Sequence, residues 1–172
     1  MRTWIGVIGT ALLAVSGCAN ASLIWAFDYT NGSTVDVAGT LTTNDTLSSG
    51  GYLVTAISGF RNGTDAIASL VAPPTLNGYG FDNLLLPGPG SLLDVGGIAF
   101  TTASGGAFNI CGASPPYPGY SCGSTGYTEF DIHTGAATSG QFTARQVPEP
   151  AALSLLGLGL AGLGFMRRRK AA

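Results

Sequence analysis

The chain has 172 residues, of which 9% are charged and 45% hydrophobic, with 27 glycines. That length holds one domain plus its ends, and sparse charge with abundant apolar residues excludes a disordered chain, which needs the reverse balance. The net charge of −2 conceals an acidic middle: between Ser22 and Gln146, Arg61 and Arg145 face Asp28, Asp36, Asp45, Asp65, Asp82, Asp94, Glu129 and Asp131, a balance of −6 that repels phosphate backbones and argues against a nucleic-acid partner.

The first 21 residues have the three parts of a secretory signal. Arg2 supplies the positive start, Ile5 to Val15 the apolar stretch, and Ala19-Asn20-Ala21 the small-x-small cleavage site, so the mature chain is expected to begin at Ser22. Val15-Ser16-Gly17-Cys18 resembles a lipobox and competes with that site; cleavage after Ala21 is preferred, because a lipid on Cys18 would duplicate the membrane attachment expected at the other end.

From Ser22 to Gln146 the periodicity is that of strands. Leu23 to Tyr29 is the first. In the second, Val35, Val37, Gly39 and Leu41 alternate with Asp36, Ala38 and Thr40, the pattern of a half-buried strand. Further strands are expected at Tyr52–Ile57, Ile67–Val71, Gly97–Thr101, Tyr127–Ile132 and Gln141–Arg145. Turns are expected at 30–33 (TNGS), 48–51 (SSGG) and 61–64 (RNGT), and two longer loops at Pro73-Pro74 and at 86–90 (LPGPG). No helical period stands out in this span. The expected class is all-β, an antiparallel sandwich or small barrel.

Cys18 leaves with the signal, so Cys111 and Cys122 remain as an even pair in an exported chain. Exported thiols oxidise, and a disulfide across GASPPYPGYS is expected, contributing on the order of 3 kcal/mol. Two cysteines without further Cys or His cannot complete a zinc site.

Catalytic signals are weak, and the expected reading is non-enzymatic, with no cofactor and no metal. His133 is the one histidine; with Asp131 on the same strand face and a serine such as Ser104 or Ser121 it could make a triad, yet no G-x-S-x-G sequence is present. Oxygen-bearing residues from Asp28 to Ser33 lack the spacing of a calcium loop, and a turn built on Asn31-Gly32 explains them. The sequons at Asn31, Asn44 and Asn62 are likewise turn residues. Trp25, Tyr52, Tyr79, Phe81, Tyr117 and Tyr120 could stack on sugar rings, but aromatics also fill β cores. Tyr117 and Tyr120, in the Pro-rich loop, are the best placed for exposed contact.

The chain ends in three ordered parts. Val147-Pro148-Glu149-Pro150 blocks helix and sets a boundary. Ala151 to Met166 is uncharged and apolar, about 24 Å long as a helix, short of the ~30 Å hydrocarbon core, so it spans with thinning or flank help. Arg167, Arg168, Arg169 and Lys170 then hold the end on the cytoplasmic side of the inner membrane. These parts together resemble the PEP-CTERM sorting signal of Gram-negative bacteria. The resemblance implies processing by an exosortase, a membrane-embedded protease or transpeptidase, and a host that makes exopolysaccharide. The segments GYLVTAISGFRNG and FDNLLLPGPGSLLDVGGIAF resemble the ectodomain of a recurring group of PEP-CTERM proteins, which implies a fold and a location but no activity.

The expected organisation is thus a signal peptide (1–21), a β-rich extracytoplasmic domain (22–146) and a sorting signal (147–172). The expected role is an exosortase-processed protein of the cell surface or matrix, with extracellular polysaccharide as a candidate partner. A secreted hydrolase or carbohydrate-binding module is the alternative.

Overall fold

Every second residue from Trp25 to Tyr29 is large and apolar, and Trp25, Phe27 and Tyr29 all turn to the interior. In the computed structural model, which describes residues 22–73, 75–76, 78–112, 122, 126–148, 155 and 157–160, this segment is strand β1 (Ser22–Thr30). β2 (Asp36–Ser48) carries the second alternating pattern, and Val37, Leu41 and Thr43 are fully buried. Ser49 and Gly50, both at positive φ, turn the chain into β3 (Gly51–Arg61). Two consecutive left-handed residues match the twist of the flanking strands, which is why a Gly sits there.

β4 (Asp65–Leu70) follows, then three short strands: β5 (Thr75–Leu76), β6 (Tyr79–Gly80) and β7 (Leu84–Leu85). β8 (Ile98–Thr102), β9 (Ala107–Gly112), β10 (Tyr127–Asp131) and β11 (Ala137–Val147) complete the series. All pairings are antiparallel, in the order β2-β1-β11-β10-β9-β8-β4-β3, and β3 pairs back onto β2. Among the described residues, eight strands therefore close a barrel, the second of the two expected architectures. Closure removes the free edges an open sheet would expose. β7 lies on the length of β3 that β4 does not reach, with Tyr52 opposite Leu85 and Leu53 opposite Leu84.

The interior is filled by side chains, as expected for eight strands. Phe27, Leu41, Phe100, Ile110 and Phe142 belong to one buried cluster, with Trp25 against Tyr52 and Phe27 against Phe142. The strands bend most tightly where Gly39 faces Gly59 across β2 and β3. A Cβ on Gly39 would meet the Ser58 carbonyl oxygen and stand 2.8 Å from the Gly59 Cα, so only glycine admits this approach.

A second layer covers the outside of β8, β9 and β10. Phe81, Ala99, Ala107 and Ile132 form its core, with Val71, Leu76 and Tyr79 packed on them. β9 is consequently buried on both faces, all six residues of AFNICG. The alternation that reveals β1 is absent there, and the sequence gives no strand signal at 107–112.

Candidate functional site

Strand directions place the start of β1 and the end of β11 side by side. β1 runs away from one rim of the barrel and β11 runs back to it, with Ile24 opposite Val147 and Trp25 opposite Gln146. Ser22, the expected mature start, is already in the β ladder, opposite Asn44. Val147 is the last strand residue, one position beyond the expected domain boundary, and Pro148 follows it directly. Pro148 has no N–H to donate, so the ladder stops there for a covalent reason. Leu155 and residues 157–160 are helical, with Leu155, Leu158 and Leu160 exposed. Among the described residues no helix is long and apolar enough to cross a membrane. Ala19, Ala21, Glu149, Pro150 and Arg167 to Lys170 lie outside the described residues, as does most of the expected span from Ala151 to Met166.

The same end carries the disulfide. Cys111, fully buried at the end of β9, is bonded to Cys122 with Cα atoms 5.7 Å apart. Tyr117 and Tyr120 lie outside the described residues. The other candidate sugar-stacking aromatics are used in packing: Trp25 and Phe81 are buried, Tyr52 lies on Trp25, and Tyr79 lies on Phe130 with centroids 4.6 Å apart.

Segments 51–63 and 81–100 meet beside β3. Asn83, left-handed at φ 56° and fully buried, ties them together. Its backbone N–H donates to Gly97 and its carbonyl accepts from Val54. Its side chain accepts from the Ala99 N–H at 2.9 Å and donates to the Val71 carbonyl at 2.7 Å. Next to it, the Asp82 and Asp94 carboxyl groups lie close enough to interact. Asp94 accepts the N–H groups of Gly96 and Gly97, and Asp82 that of Leu84. Burial first, and the Asp94 carboxylate second, push the Asp82 carboxyl up to about 6. The motif residues therefore hold loops to the barrel wall.

Asp131 and His133, considered above as neighbours on one strand face, do not share a strand. β10 ends at Asp131, and His133 stands in the following turn. Asp131 accepts the backbone N–H groups of His133 at 2.8 Å and Thr134 at 3.1 Å, closing an Asx turn. Partial burial pushes its carboxyl up, but these backbone bonds win and hold it below the usual carboxylate range. Ser104 serves Asp65 instead: its hydroxyl donates at 2.7 Å and, as the leading cause, holds the Asp65 carboxyl low. Ser121 lies outside the described residues.

Asn31 behaves as a turn residue. Its side-chain oxygen accepts the N–H groups of Ser33, Thr34 and Val35, and the Thr30 hydroxyl accepts that of Gly32. An open groove of about 610 Å³ lies over this turn, lined by residues that include Asp28, Asp36 and Asn62, at the rim opposite the tail.

An interior ion pair escaped the sequence reading. Arg61 on β3 reaches across the barrel to Glu129 on β10, with Nη2 to Oε1 at 2.7 Å and Nε to Oε2 at 3.1 Å. The guanidinium lies 4.1 Å over the Phe108 ring. The Tyr29 hydroxyl accepts the Glu129 N–H at 2.9 Å and donates to the Thr138 carbonyl. Burial pushes the Tyr29 phenol up. One signal was available: Arg61 is one of two cations between the ends, and Glu129 sits among β-branched and aromatic neighbours. Their partnership is invisible without the closure of the barrel.

No match was found among curated proteins or among solved structures. Residues 146–170 match the family model of the PEP-CTERM protein-sorting motif, which takes in the expected motif, apolar run and basic cluster. Such a motif implies export, membrane-associated sorting and exosortase processing. The chain is thus a β barrel that carries, from the end of its last strand onward, a PEP-CTERM protein-sorting motif.

Proposed function

We propose that the chain is an exported, non-enzymatic protein of the cell surface or extracellular matrix. On this reading a signal peptidase cuts before Ser22, the apolar run from Ala151 to Met166 holds the chain in the inner membrane, and an exosortase cuts near Val147-Pro148-Glu149-Pro150. The observation that carries the reading is the match of residues 146–170 to the sorting-motif model, and the Ile24–Val147 pair, which brings the start of β1 and the end of β11 to one rim, supports it. The non-enzymatic part is supported by Ser104, whose hydroxyl is held by Asp65, and by an interior packed with side chains.

The test compares size and fractionation of the protein in a host with its exosortase and in one lacking it. Replacing Pro148, Glu149 and Pro150 by Ala should leave the chain anchored at full length, because Ala lets helix run on where Pro ends it. If that variant were shortened and released as efficiently as the unaltered chain, the tail would be a plain anchor cut by general proteases. Hydrolysis of a polysaccharide or ester substrate that Asp131→Asn or His133→Ala abolished would reverse the non-enzymatic reading.

A further inference from the structure

The large exposed hydrophobic residues of the barrel are unevenly distributed. Among the described residues of the barrel, Leu47 is 57% exposed, Phe60 52%, Leu53 39% and Val147 38%. Strand direction sorts them by rim. β2 descends to the rim where β1 begins, with Ser22 opposite Asn44 and Leu47 opposite Tyr52, next to the turn at Ser49-Gly50. Leu53 stands just past that turn, and Val147 ends β11 at the same rim. Phe60 lies toward the far rim, opposite Ala38 and Ala66.

Among the described residues, carboxylates stand at both rims. Asp36, Asp65 and Asp131 stand at turns of the far rim, as the pairings of Thr30 with Asp36, Arg61 with Asp65 and Asp131 with Phe108 require. Near the tail, Asp45 is an exposed carboxylate of the β2–β3 hairpin, and the Asp82–Asp94 pair is turned to its own loops.

We infer that the tail-side rim of the barrel, through Leu47, Leu53 and Val147, lies against the surface of a lipid bilayer while the chain is anchored. The inference rests on the anchor reading given above. Its physical basis is reach. Three residues, Pro148 to Pro150, separate Val147 from the apolar run, and three extended residues span at most ~11 Å. A barrel on so short a tether cannot tumble away from the interface. The rim that faces the lipid is the one that exposes leucines. Burying leucines at the acyl boundary is favourable.

The experiment uses the exported, unprocessed chain in vesicles of phosphatidylethanolamine and phosphatidylglycerol whose acyl chains are brominated near the headgroup. Leu47→Trp, Leu53→Trp and Phe60→Trp are compared, with the background set by buried Trp25. All three replace exposed side chains, and coincident melting curves confirm an intact barrel. Bromine should quench Trp at 47 and 53 at least twofold more than Trp at 60. In the unaltered chain, amide exchange at residues 48–51 should slow on vesicles relative to the released, processed form. Vesicle flotation reports the anchor separately: a chain that does not float removes the anchor reading and this inference with it. A chain that floats with equal quenching at all three positions, and unchanged exchange at 48–51, overturns the inference alone. Protection at 48–51 that appears with added exosortase but not with lipid overturns it too, because the rim would then be a protein-docking surface.

Discussion

Asn83 and Asp82 are adjacent in sequence and act through opposite physics. Asn83→Ala leaves the Ala99 N–H and the Val71 C=O without these partners in a buried place and puts in the left-handed backbone a residue that lacks asparagine's polar side chain and tolerates it less well. Each orphaned group costs about 1–3 kcal/mol and the backbone about 1–2 kcal/mol, so denaturant unfolding should show a loss of roughly 3–8 kcal/mol. Asn83→Gly should recover about 1 kcal/mol of that, since it relieves the backbone but not the hydrogen bonds. At Asp82 the quantity to vary is pH. Unfolded, its carboxyl titrates near 3.8; folded, near 6. Between those values the folded chain holds the additional proton, so stability falls as pH rises through the window. The pair is only half buried and solvent screens it, so the fall is on the order of 1 kcal/mol. Asp82→Asn should flatten the slope between about pH 4 and pH 6 in urea titrations. Asp65 and Asp131, both held low, act in the opposite sense, and their contribution is lost only as pH falls below the ordinary carboxylate value.

At the scale of elements, the β2–β3 ribbon depends on a single close approach. Gly39→Ala would drive a methyl group into the Ser58 carbonyl, and a loss of about 2 kcal/mol or more is expected by thermal unfolding. Gly50→Ala meets no atom within 4 Å and should lose only about 1 kcal/mol, from its positive φ. The Cys111–Cys122 disulfide predicts a simple assay: alkylation of the unreduced exported protein should label neither thiol, and labelling of both at native pH would remove the bond. What could be read beforehand follows from burial. β1 and β2 have one wet face, so their alternation marks both the strand and its inner side. β9 has none, and β10 loses its last expected residue, Ile132, to a turn that Asp131 closes. The disulfide could be deduced because two cysteines allow one pairing. The Arg61–Glu129 strut and the meeting of the Asp82 and Asp94 loops depend on closure, and local pattern carries no information about which strands become neighbours.

For the whole molecule, the expected maturation can be weighed at a single residue. A chain beginning at Ser22 starts within the β1 ladder and leaves no spare residues at the tail-side rim. Intact mass and N-terminal sequencing of the exported protein should therefore give Ser22, and a diacylated Cys18 would reject that maturation. The seam between β1 and β11 has another consequence, for timing. A polypeptide threaded through a membrane channel from its N-terminus delivers β1 first and β11 last, and these two are partners. The cylinder cannot be sealed until nearly all of it has emerged. Loop closure across so long a separation is slow, so the threading chain remains narrow and open. Once β11 zips between β1 and β10, however, the emerged chain is too wide to slip back. On the export reading, the order of strands works as a one-way latch, set while the hydrophobic tail already occupies the channel.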